Sequence, residues 1–196
     1  MTVLIAGGSG LIGSAIARHL KKNNRVLIYD PIAPVYGDWI EDLNVEYDVF
    51  IDCSWPKKTA DQIQIWKDVV KHFKDQKRGK IILFSSIYGH TPPDFGMYEG
   101  TEIKVKPVEY GMFKAATDQA VRYYCEDLKL YNVQINAIAP GGVLNKESEL
   151  FQEEYFTSGL AKMIETKNIL PVIDMLMHED NAINGLTIPV DNGWSL

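Results

Sequence analysis

The sequence predicts an α/β fold in which one parallel sheet is covered by helices on both faces. Six short apolar runs are bounded by polar, Gly or Pro residues, and helical patterns separate most of them. A glycine-rich turn joins the first run directly to a helix. Because 196 residues with 46% hydrophobic content can bury one substantial core, we expect a single domain over residues 1–196.

The predicted elements alternate as a doubly wound sheet requires. The strands are Val3–Ala6, Val26–Tyr29, Val49–Cys53, Ile81–Phe84, Val133–Ile138 and Leu186–Val190. The helices are Leu11–Lys22, Thr59–Lys74 and Val108–Lys129, with shorter ones within Glu147–Glu165 and Ile169–Met177. Only 17 residues lie between Asp30 and Asp48. We therefore expect the edge strand there to be missing or reduced, with Asp38–Leu43 as a short connecting helix.

Three glycines in VLIAGGSGLIG lie between the first strand and the first helix. Gly7 permits a sharp turn, Gly10 lets backbone N–H groups approach phosphate oxygens, and Gly13 lets the helix pack closely. The helix N-terminus favours a bound anion through its free N–H groups and its dipole. The turn therefore predicts a Rossmann-like pyrophosphate site that also includes Ser9, Leu11 and Ile12, although such a turn can also simply join a strand to a helix.

Asp30 ends the second strand, about 20 residues past the glycines, where a dinucleotide fold places an acid that accepts hydrogen bonds from the adenosine ribose. No Lys or Arg stands beside it or among the glycines to bind a 2′-phosphate, and Ser9 occupies the place in the turn where a basic residue would help. We therefore predict NAD as the cofactor, with NADP less favoured. The alternative is that Asp30 is a turn residue before Pro31.

Composition excludes several other functions. A formal net charge of −6 without a basic run argues against nucleic acid and anionic membranes as partners. The two cysteines, Cys53 and Cys125, lack metal-site spacing, so no metal is expected and both are predicted to be free thiols in a reducing cytoplasm. The N-terminal apolar stretch is too short for a signal peptide, and no run approaches the ~20 apolar residues of a membrane span. A small soluble substrate fits this composition best.

A possible catalytic group follows from spacing and placement. Tyr110 and Lys114 stand at i and i+4 of a predicted helix, so both side chains project from one face. An ammonium near a phenol favours phenolate, which lowers the phenol pKa toward working pH and makes tyrosine a general acid/base. Ser85 and Ser86 follow a central strand, where open α/β sheets bind ligands. A hydroxyl there can hold a substrate carbonyl oxygen, although such a Tyr/Lys pair is also common on helix surfaces and such serines are common in turns.

Together these residues resemble the short-chain dehydrogenase/reductase family over nearly the whole chain. FSSIYG with the downstream Tyr/Lys pair is similar to the family's catalytic triad, and Ser86, which precedes IYG, aligns with its serine. INAIAPGGV resembles the Pro-Gly loop after the sixth strand, where backbone around Pro140, Gly141, Gly142 and Val143 contacts the nicotinamide carboxamide. INGLTIPVDNGWSL resembles the C-terminal strand and tail, with Asn192 in place of the first glycine of VDGG.

The resemblance implies that Tyr110 exchanges a proton with the substrate oxygen, Lys114 lowers its pKa and orients the ribose, Ser86 positions the carbonyl and NAD(H) carries hydride. Two departures stand out. DCSW (Asp52–Trp55) replaces the family's NNAG, and its Cys53 and Ser54 are predicted to contact cofactor. No Asn occurs between Asn44 and Asn132, so the helix Asn of the family's proton relay is absent; Gln62, Gln64 or Thr59 are alternative water-binding groups, or else helix surface or packing.

A long insertion, Tyr88–Glu109, separates the catalytic serine from the tyrosine and is expected to overlie the site. Four of its side chains are candidate substrate contacts: His90, Tyr98, Glu99 and Thr101. SSIYG followed by YEGT and PVEY is similar to oxidoreductases of bacterial surface-sugar pathways, which implies a sugar or sugar phosphate as the substrate.

Two rival functions stay open. One is a catalytically weak NAD-binding sensor or scaffold, favoured by the missing Asn and the short edge. The other is a sugar epimerase or dehydratase that recycles bound NAD. The family resemblance also implies a homodimer or homotetramer paired through Thr59–Lys74 and Val108–Lys129. Apolar residues of these helices form the seam or face the core; they are Ile65, Trp66, Val121 and Tyr124.

Overall fold

The computed structural model describes residues 1–30, 36–40, 43–55 and 59–196. Within these ranges seven parallel strands form one sheet in the order β3-β2-β1-β4-β5-β6-β7. The strands are β1 (Thr2–Ala6), β2 (Arg25–Tyr29), β3 (Asp38–Ile40), β4 (Val49–Asp52), β5 (Gly79–Phe84), β6 (Val133–Pro140) and β7 (Thr187–Val190). The α-helices are α1 (Leu11–Leu20), α2 (Thr59–Gln76), α3 (Val108–Asp127), α4 (Glu149–Gly159) and α5 (Leu170–Met177). The predicted α/β class with a parallel, doubly wound sheet is confirmed.

The edge of the sheet corrects one prediction. The edge strand is reduced to three residues rather than missing, since Asp38–Ile40 pairs in parallel with Leu27–Tyr29. The expected helix over Asp38–Leu43 is therefore wrong for its first three residues and for Leu43, which lies in a bend, while positions 41 and 42 lie outside the described residues. Pairing with β2 satisfies backbone N–H and C=O groups that a helix would leave open along that strand.

Each central strand contributes side chains to two cores, because alternate residues point to opposite faces. Val3 and Ile5 of β1 pack in the cluster that contains residues of α1 and α5. Leu4 and Ala6 pack in the cluster that contains residues of α2 and α3. Burial on both faces explains why the strands are continuous apolar runs rather than alternating ones.

The faces of α2 and α3 decide part of the oligomer prediction. Trp66 is 6% exposed and Val121 is fully buried, and both belong to the core between these helices and the sheet. Ile65 and Tyr124 are partly buried against the same cluster. Trp66 and Val121 therefore face the core and are not available to a second subunit, because the apolar stripe of a helix is used first against the sheet that it covers.

A third cluster forms a roof at one end of the sheet. It combines buried residues of the insertion, of α4 and of the C-terminal tail, including Met97, Tyr155 and Trp194. The Asp191 carboxylate fixes the tail by accepting hydrogen bonds from the backbone N–H of Gly193 and of Ser195, at 2.9 Å each. Asn192, which replaces a family glycine, has φ +58°, a conformation that Asn adopts more readily than most residues.

No described helix is both long and apolar enough to cross a membrane. No group of three or more described His, Cys, Asp or Glu side chains is arranged to hold a metal ion.

Candidate active site

The carboxyl ends of the strands bring the predicted site residues to one edge of the sheet. Gly7 follows β1, Asp30 follows β2, Cys53 follows β4, Ser85 follows β5 and Gly141 follows β6. All strands are parallel, so these positions share an edge even though they span more than 130 residues of sequence. This edge is where open α/β sheets bind ligands.

The glycine turn is tightly packed on its inner side and open at its tip. Gly7 has φ +72°, and its carbonyl accepts a 3.1 Å hydrogen bond from Gly10 N. A Cβ on Gly13 would lie 2.2 Å from the Gly7 carbonyl oxygen, so the helix approaches the turn itself rather than only the strand. A Cβ on Gly10 would meet just the Gly7 oxygen, at 3.4 Å. The open position at Gly10 fits a pyrophosphate at the N-terminus of α1.

Asp30 lies beside this turn. The backbone N–H of Ser9 donates a 3.1 Å hydrogen bond to its carboxylate. The contact ties the end of β2 to the turn after β1 and holds the carboxylate next to the expected pyrophosphate position. This placement is compatible with an acceptor for ribose hydroxyls.

A cavity of about 390 Å³ opens at the same edge. Ten of the predicted catalytic and cofactor-binding residues line it: Ile12, Cys53, Ser54, Ser86, Tyr110, Lys114, Pro140, Gly141, Gly142 and Val143. The other six predicted cofactor residues lie on the same edge but outside the cavity wall; they are Gly7, Ser9, Gly10, Leu11, Gly13 and Asp30. A groove for an extended dinucleotide with a small pocket for substrate has this form.

Lys114 is buried in the floor of the cavity. Its ammonium donates a 2.7 Å hydrogen bond to the Phe84 carbonyl and lies 5.7 Å from the centre of the Tyr110 ring. Burial lowers the Lys114 pKa, while the nearby Asp52, Cys53 and Asp118 raise it. Lys114 is therefore anchored to the end of β5, one helical turn from the phenol.

The phenol of Tyr110 departs from the sequence prediction. Burial raises its pKa, and a hydrogen bond from the Ser86 side chain lowers it, whereas Lys114 is not among the causes of the shift. The predicted lowering of the Tyr110 pKa is thus not met in this structure, because burial of the phenol raises the pKa more than the hydrogen bond lowers it. With its pKa above the ordinary value, the phenol is protonated at neutral pH and is ready to donate a proton.

The two serines after β5 have different partners. The Ser85 hydroxyl is buried and donates to the Lys114 carbonyl at 3.1 Å. Ser86 interacts with the Tyr110 phenol and accepts a 3.3 Å hydrogen bond from Tyr88 N. The contact between Ser86 and Tyr110 agrees with the prediction that Ser86, rather than Ser85, is the catalytic serine.

The Pro-Gly loop closes one side of the cavity. Gly141 N donates to the Val190 carbonyl at 3.0 Å, and Gly142 N donates to the Tyr155 hydroxyl at 2.8 Å. Within the described part of the chain, the backbone N–H of Val143 has no hydrogen-bond partner. A carboxamide oxygen is a suitable acceptor for this N–H.

A buried polar network next to the cavity was missed by the sequence prediction. The Asp52 carboxylate accepts hydrogen bonds from the Gln62 amide, from the Trp66 indole at 2.6 Å, and from the Ser54 hydroxyl at 2.7 Å. Gln62 is 1% exposed, so it is neither helix surface nor a free water-binding group, whereas Gln64 bonds Asp68 on the exposed face of α2. The sequence pattern that could have predicted this network is an acid at the end of a strand, followed by Gln and Trp at positions i and i+4 of the next helix.

Burial raises the Asp52 pKa, and the hydrogen bonds from Ser54 and Trp66 lower it. We expect Trp66→Phe to lower the free energy of unfolding by about 1.5–3 kcal/mol at pH 7, because a buried carboxylate loses a donor. A raised carboxyl pKa means that the contribution of Asp52 to stability falls as pH rises, and removing the donor raises that pKa further. The loss should therefore be larger at pH 7 than at pH 4 in urea unfolding.

Trp55→Phe is the matched control for this prediction. Its indole is 53% exposed and makes no hydrogen bond within the described ranges, so little change in the free energy of unfolding is expected. Equal losses for Trp66→Phe at both pH values would show that Asp52 is uncharged at pH 7.

Trp55 also borders the catalytic group. Its ring centre lies 4.9 Å from that of Tyr110, and the Lys114 ammonium lies 5.6 Å from the indole. An indole therefore stands where the family has the glycine of NNAG, and it covers one side of the Tyr/Lys pair.

The insertion supplies a different set of side chains from the predicted one. Of its four candidate contacts only Tyr98 lines the cavity; His90 lies 4.0 Å from Asp118 instead, and Glu99 and Thr101 are outside the lining. Five insertion residues that line the cavity were missed: Tyr88, Met97, Ile103, Lys104 and Lys106. Alternation of apolar and basic residues in IKVK was the available signal.

Residues 62–195 match the family model described as "Enoyl-(Acyl carrier protein) reductase". The chain belongs to the short-chain dehydrogenase/reductase family. Members of this family are oxidoreductases. The match begins within α2 and runs through the triad, the Pro-Gly loop and the C-terminal tail.

Known proteins agree with this assignment. Post-translational flagellin modification protein A of Campylobacter coli is 33% identical over 132 residues, which cover 66% of this chain and 51% of that protein. This chain thus spans about half the length of the curated relatives that it matches.

Solved structures show the same fold. A short-chain dehydrogenase from Leptospira borgpetersenii serovar Hardjo-bovis with bound NAD+ has a TM-score of 0.86 at 22% identity, covering 100% of this chain and 92% of that one. A 3-oxoacyl-[acyl-carrier protein] reductase with bound NAD from Brucella melitensis has a TM-score of 0.79 at 18% identity, with coverage of 100% and 91%.

Proposed function

We propose that this short-chain dehydrogenase/reductase is an NAD-dependent oxidoreductase that interconverts a secondary alcohol and a ketone. The observation that carries the proposal is the convergence of Ser86, Tyr110 and Lys114 on one cavity, at the sheet edge that also holds the glycine turn. A hydroxyl, a phenol and an ammonium within one enclosed space supply the binding and proton transfer that carbonyl reduction requires.

The three residues have different roles in this proposal. Ser86 donates a hydrogen bond to the substrate carbonyl oxygen and holds it beside the phenol. Tyr110 donates its proton to that oxygen during reduction and takes a proton back during oxidation. Lys114 keeps a positive charge under the phenol and contacts the nicotinamide ribose, as the family resemblance implies. Bound NAD supplies the hydride chemistry.

The cofactor is held by the predicted residues that surround the turn and the cavity. Gly10 and the N-terminus of α1 bind the pyrophosphate, and the Asp30 carboxylate accepts hydrogen bonds from the adenosine ribose. Cys53 and Ser54 contact the cofactor beside the cavity. The Val143 N–H donates a hydrogen bond to the carboxamide oxygen of the nicotinamide. The relatives with bound NAD support this choice.

A sugar or sugar phosphate is the proposed substrate. The cavity wall carries the hydroxyls of Tyr88 and Tyr98, which hydrogen bond to each other at 2.6 Å and retain capacity for a polyhydroxylated ligand. Similarity of the SSIYG segment and the insertion to surface-sugar oxidoreductases supports the same class. We further propose that residues 1–196 act as one NAD-binding unit, in a cytoplasmic homodimer or homotetramer.

Calorimetric titration with NADH and separately with NADPH tests this function without knowledge of the substrate. We expect tighter binding of NADH, and we expect Asp30→Ala to weaken NADH binding by about 10- to 100-fold, because hydrogen bonds to a charged acceptor contribute about 1.5–3 kcal/mol. NADPH binding should not weaken, since the variant removes a carboxylate that repels the 2′-phosphate.

Asp75→Ala makes the same charge change on an exposed position of α2 and should leave both affinities unchanged. Absence of binding by either nucleotide would refute the oxidoreductase proposal and favour a scaffold. Cofactor that survives purification would instead favour an enzyme that recycles bound NAD.

A further inference from the structure

Two cations at the cavity wall have no part in the proton transfer described above. Lys104 and Lys106 belong to the insertion, line the cavity and have exposed side chains. The Lys106 ammonium lies 5.9 Å from the centre of the Tyr110 ring. Positive charge is therefore placed on the cavity wall, near the phenol.

Neither lysine is neutralised within the part of the chain that the structure describes. No carboxylate there lies within 4.0 Å of either ammonium, whereas Lys74 and Lys167 each pair with a carboxylate at 2.7 Å. An unpaired surface lysine is ordinary by itself. Two of them on the wall of a catalytic cavity create a local positive potential where substrate enters.

Two carboxylates near these lysines, Glu102 in sequence and Glu147 on the same cavity wall, already accept hydrogen bonds. The Glu102 carboxylate accepts hydrogen bonds from Ser148 N at 2.8 Å and from the Ser148 hydroxyl at 2.6 Å. Glu147, which also lines the cavity, accepts from Asn145 N at 2.6 Å and from Lys146 N at 3.0 Å. The Glu102 contacts hold the insertion against the start of α4. Lys104 and Lys106 are available to bind a ligand.

The remaining wall near the lysines combines polar and apolar surface. Tyr88 and Tyr98 supply hydroxyls, while Met97 and Phe151 are buried apolar residues of the roof. Because this space of about 390 Å³ also includes the wall expected to face the nicotinamide, the substrate must be small.

We propose that the substrate carries a carboxylate or phosphate group and that Lys104 and Lys106 bind this anion while Tyr110 faces the reacting oxygen. The inference rests on the proposed function for the identity of the reacting group, but the anion site itself does not require turnover. Lys104 and Lys106 are thus specificity-determining residues, and a neutral sugar is a poorer substrate than its anionic counterpart.

Anion binding tests the site directly. Protein loaded with NAD, which covers the pyrophosphate turn, is titrated calorimetrically with inorganic phosphate and separately with malonate, to distinguish a phosphate from a carboxylate preference. We expect binding of at least one anion, weakened about tenfold or more in the Lys104→Gln/Lys106→Gln double variant and reduced by added NaCl. Lys21→Gln, at the opposite end of α1, is the matched control and should bind as the wild type does.

Kinetics then links the site to the reaction. Dihydroxyacetone phosphate and dihydroxyacetone, and pyruvate and methyl pyruvate, form charged and neutral pairs for NADH-dependent reduction. For any pair that is reduced, the double variant should lose about tenfold in kcat/KM on the charged member and less than twofold on the neutral one.

The outcomes separate the two proposals. Equal anion binding by wild type and the double variant, or no binding of either anion, overturns the anion site even if the enzyme is active. If the protein does not bind NAD, the titrations are run on the protein alone, and anion binding that depends on the two lysines then supports the site while the oxidoreductase proposal fails.

Discussion

Tyr110→Phe is expected to lower kcat by about 10²- to 10⁴-fold, because the variant removes the proton donor and leaves the ring in place. The phenyl ring keeps its packing against Trp55, 4.9 Å away between ring centres, so the fold should be retained. NADH affinity should change little, since the lost hydroxyl acts on the substrate oxygen. Steady-state reduction rates and calorimetric NADH binding measure the two effects separately.

Tyr98→Phe is the matched control, because it also removes one phenol hydroxyl from the cavity wall. That hydroxyl bonds Tyr88, so its loss should raise KM more than it lowers kcat. A Tyr110→Phe enzyme that keeps more than a tenth of wild-type kcat would rule out Tyr110 as the proton donor.

Gly10→Ala should lose cofactor affinity, whereas Gly13→Ala should lose stability. Gly10 has φ −74° and ψ 175°, which alanine adopts freely, and its Cβ would meet only one atom, at 3.4 Å. We expect this variant to fold with nearly normal stability and to bind NADH at least tenfold more weakly, because the methyl group enters the expected pyrophosphate position. Thermal unfolding and calorimetric titration measure stability and affinity.

Gly13→Ala instead places a Cβ 2.2 Å from the Gly7 carbonyl oxygen. Backbone must move to accept it, and overpacking of this kind costs about 1–3 kcal/mol or more in the free energy of unfolding. A Gly10→Ala variant that binds NADH as the wild type does would show that the turn holds no pyrophosphate. A Gly13→Ala variant of unchanged stability would contradict the close approach of α1 to the turn.

The glycine turn and the Tyr/Lys pair were predictable because each is a local pattern. A turn with a fixed spacing of glycines and a pair at i and i+4 define their own geometry within a few residues. Ser86 and Tyr110 are 24 positions apart, but each stands at the border of a strongly patterned element, so their meeting followed from the parallel sheet.

Features that depend on a distant partner were not predictable in the same way. Asp38–Ile40 is too short to reveal a strand, and it is one only because β2 offers an unpaired edge. From the sequence alone, Trp66 could be a surface residue or a core residue. Its burial and its hydrogen bond to Asp52 depend on the position of the sheet.

The direction of the Tyr110 pKa shift also depends on residues that are distant in sequence. The positive charge of Lys114, one helical turn from Tyr110, could be predicted from the sequence. Burial of the phenol, which raises its pKa, and the hydrogen bond from the Lys114 ammonium to the Phe84 carbonyl arise only in the folded cavity.

The sequence by itself determined the α/β class, and periodicity and short spacing predicted the glycine turn, the acid at Asp30 and the Tyr110/Lys114 pair. The choice of Ser86 over Ser85 followed from the resemblance to the family. Only the tertiary structure decided which side chains share the cavity, how Asp52 is satisfied, and that Lys104 and Lys106 remain unpaired in the described ranges. The physical reason is that burial, hydrogen-bond partners and electrostatic fields are set by groups far apart in the chain, which become neighbours only when the sheet and its covering helices pack together.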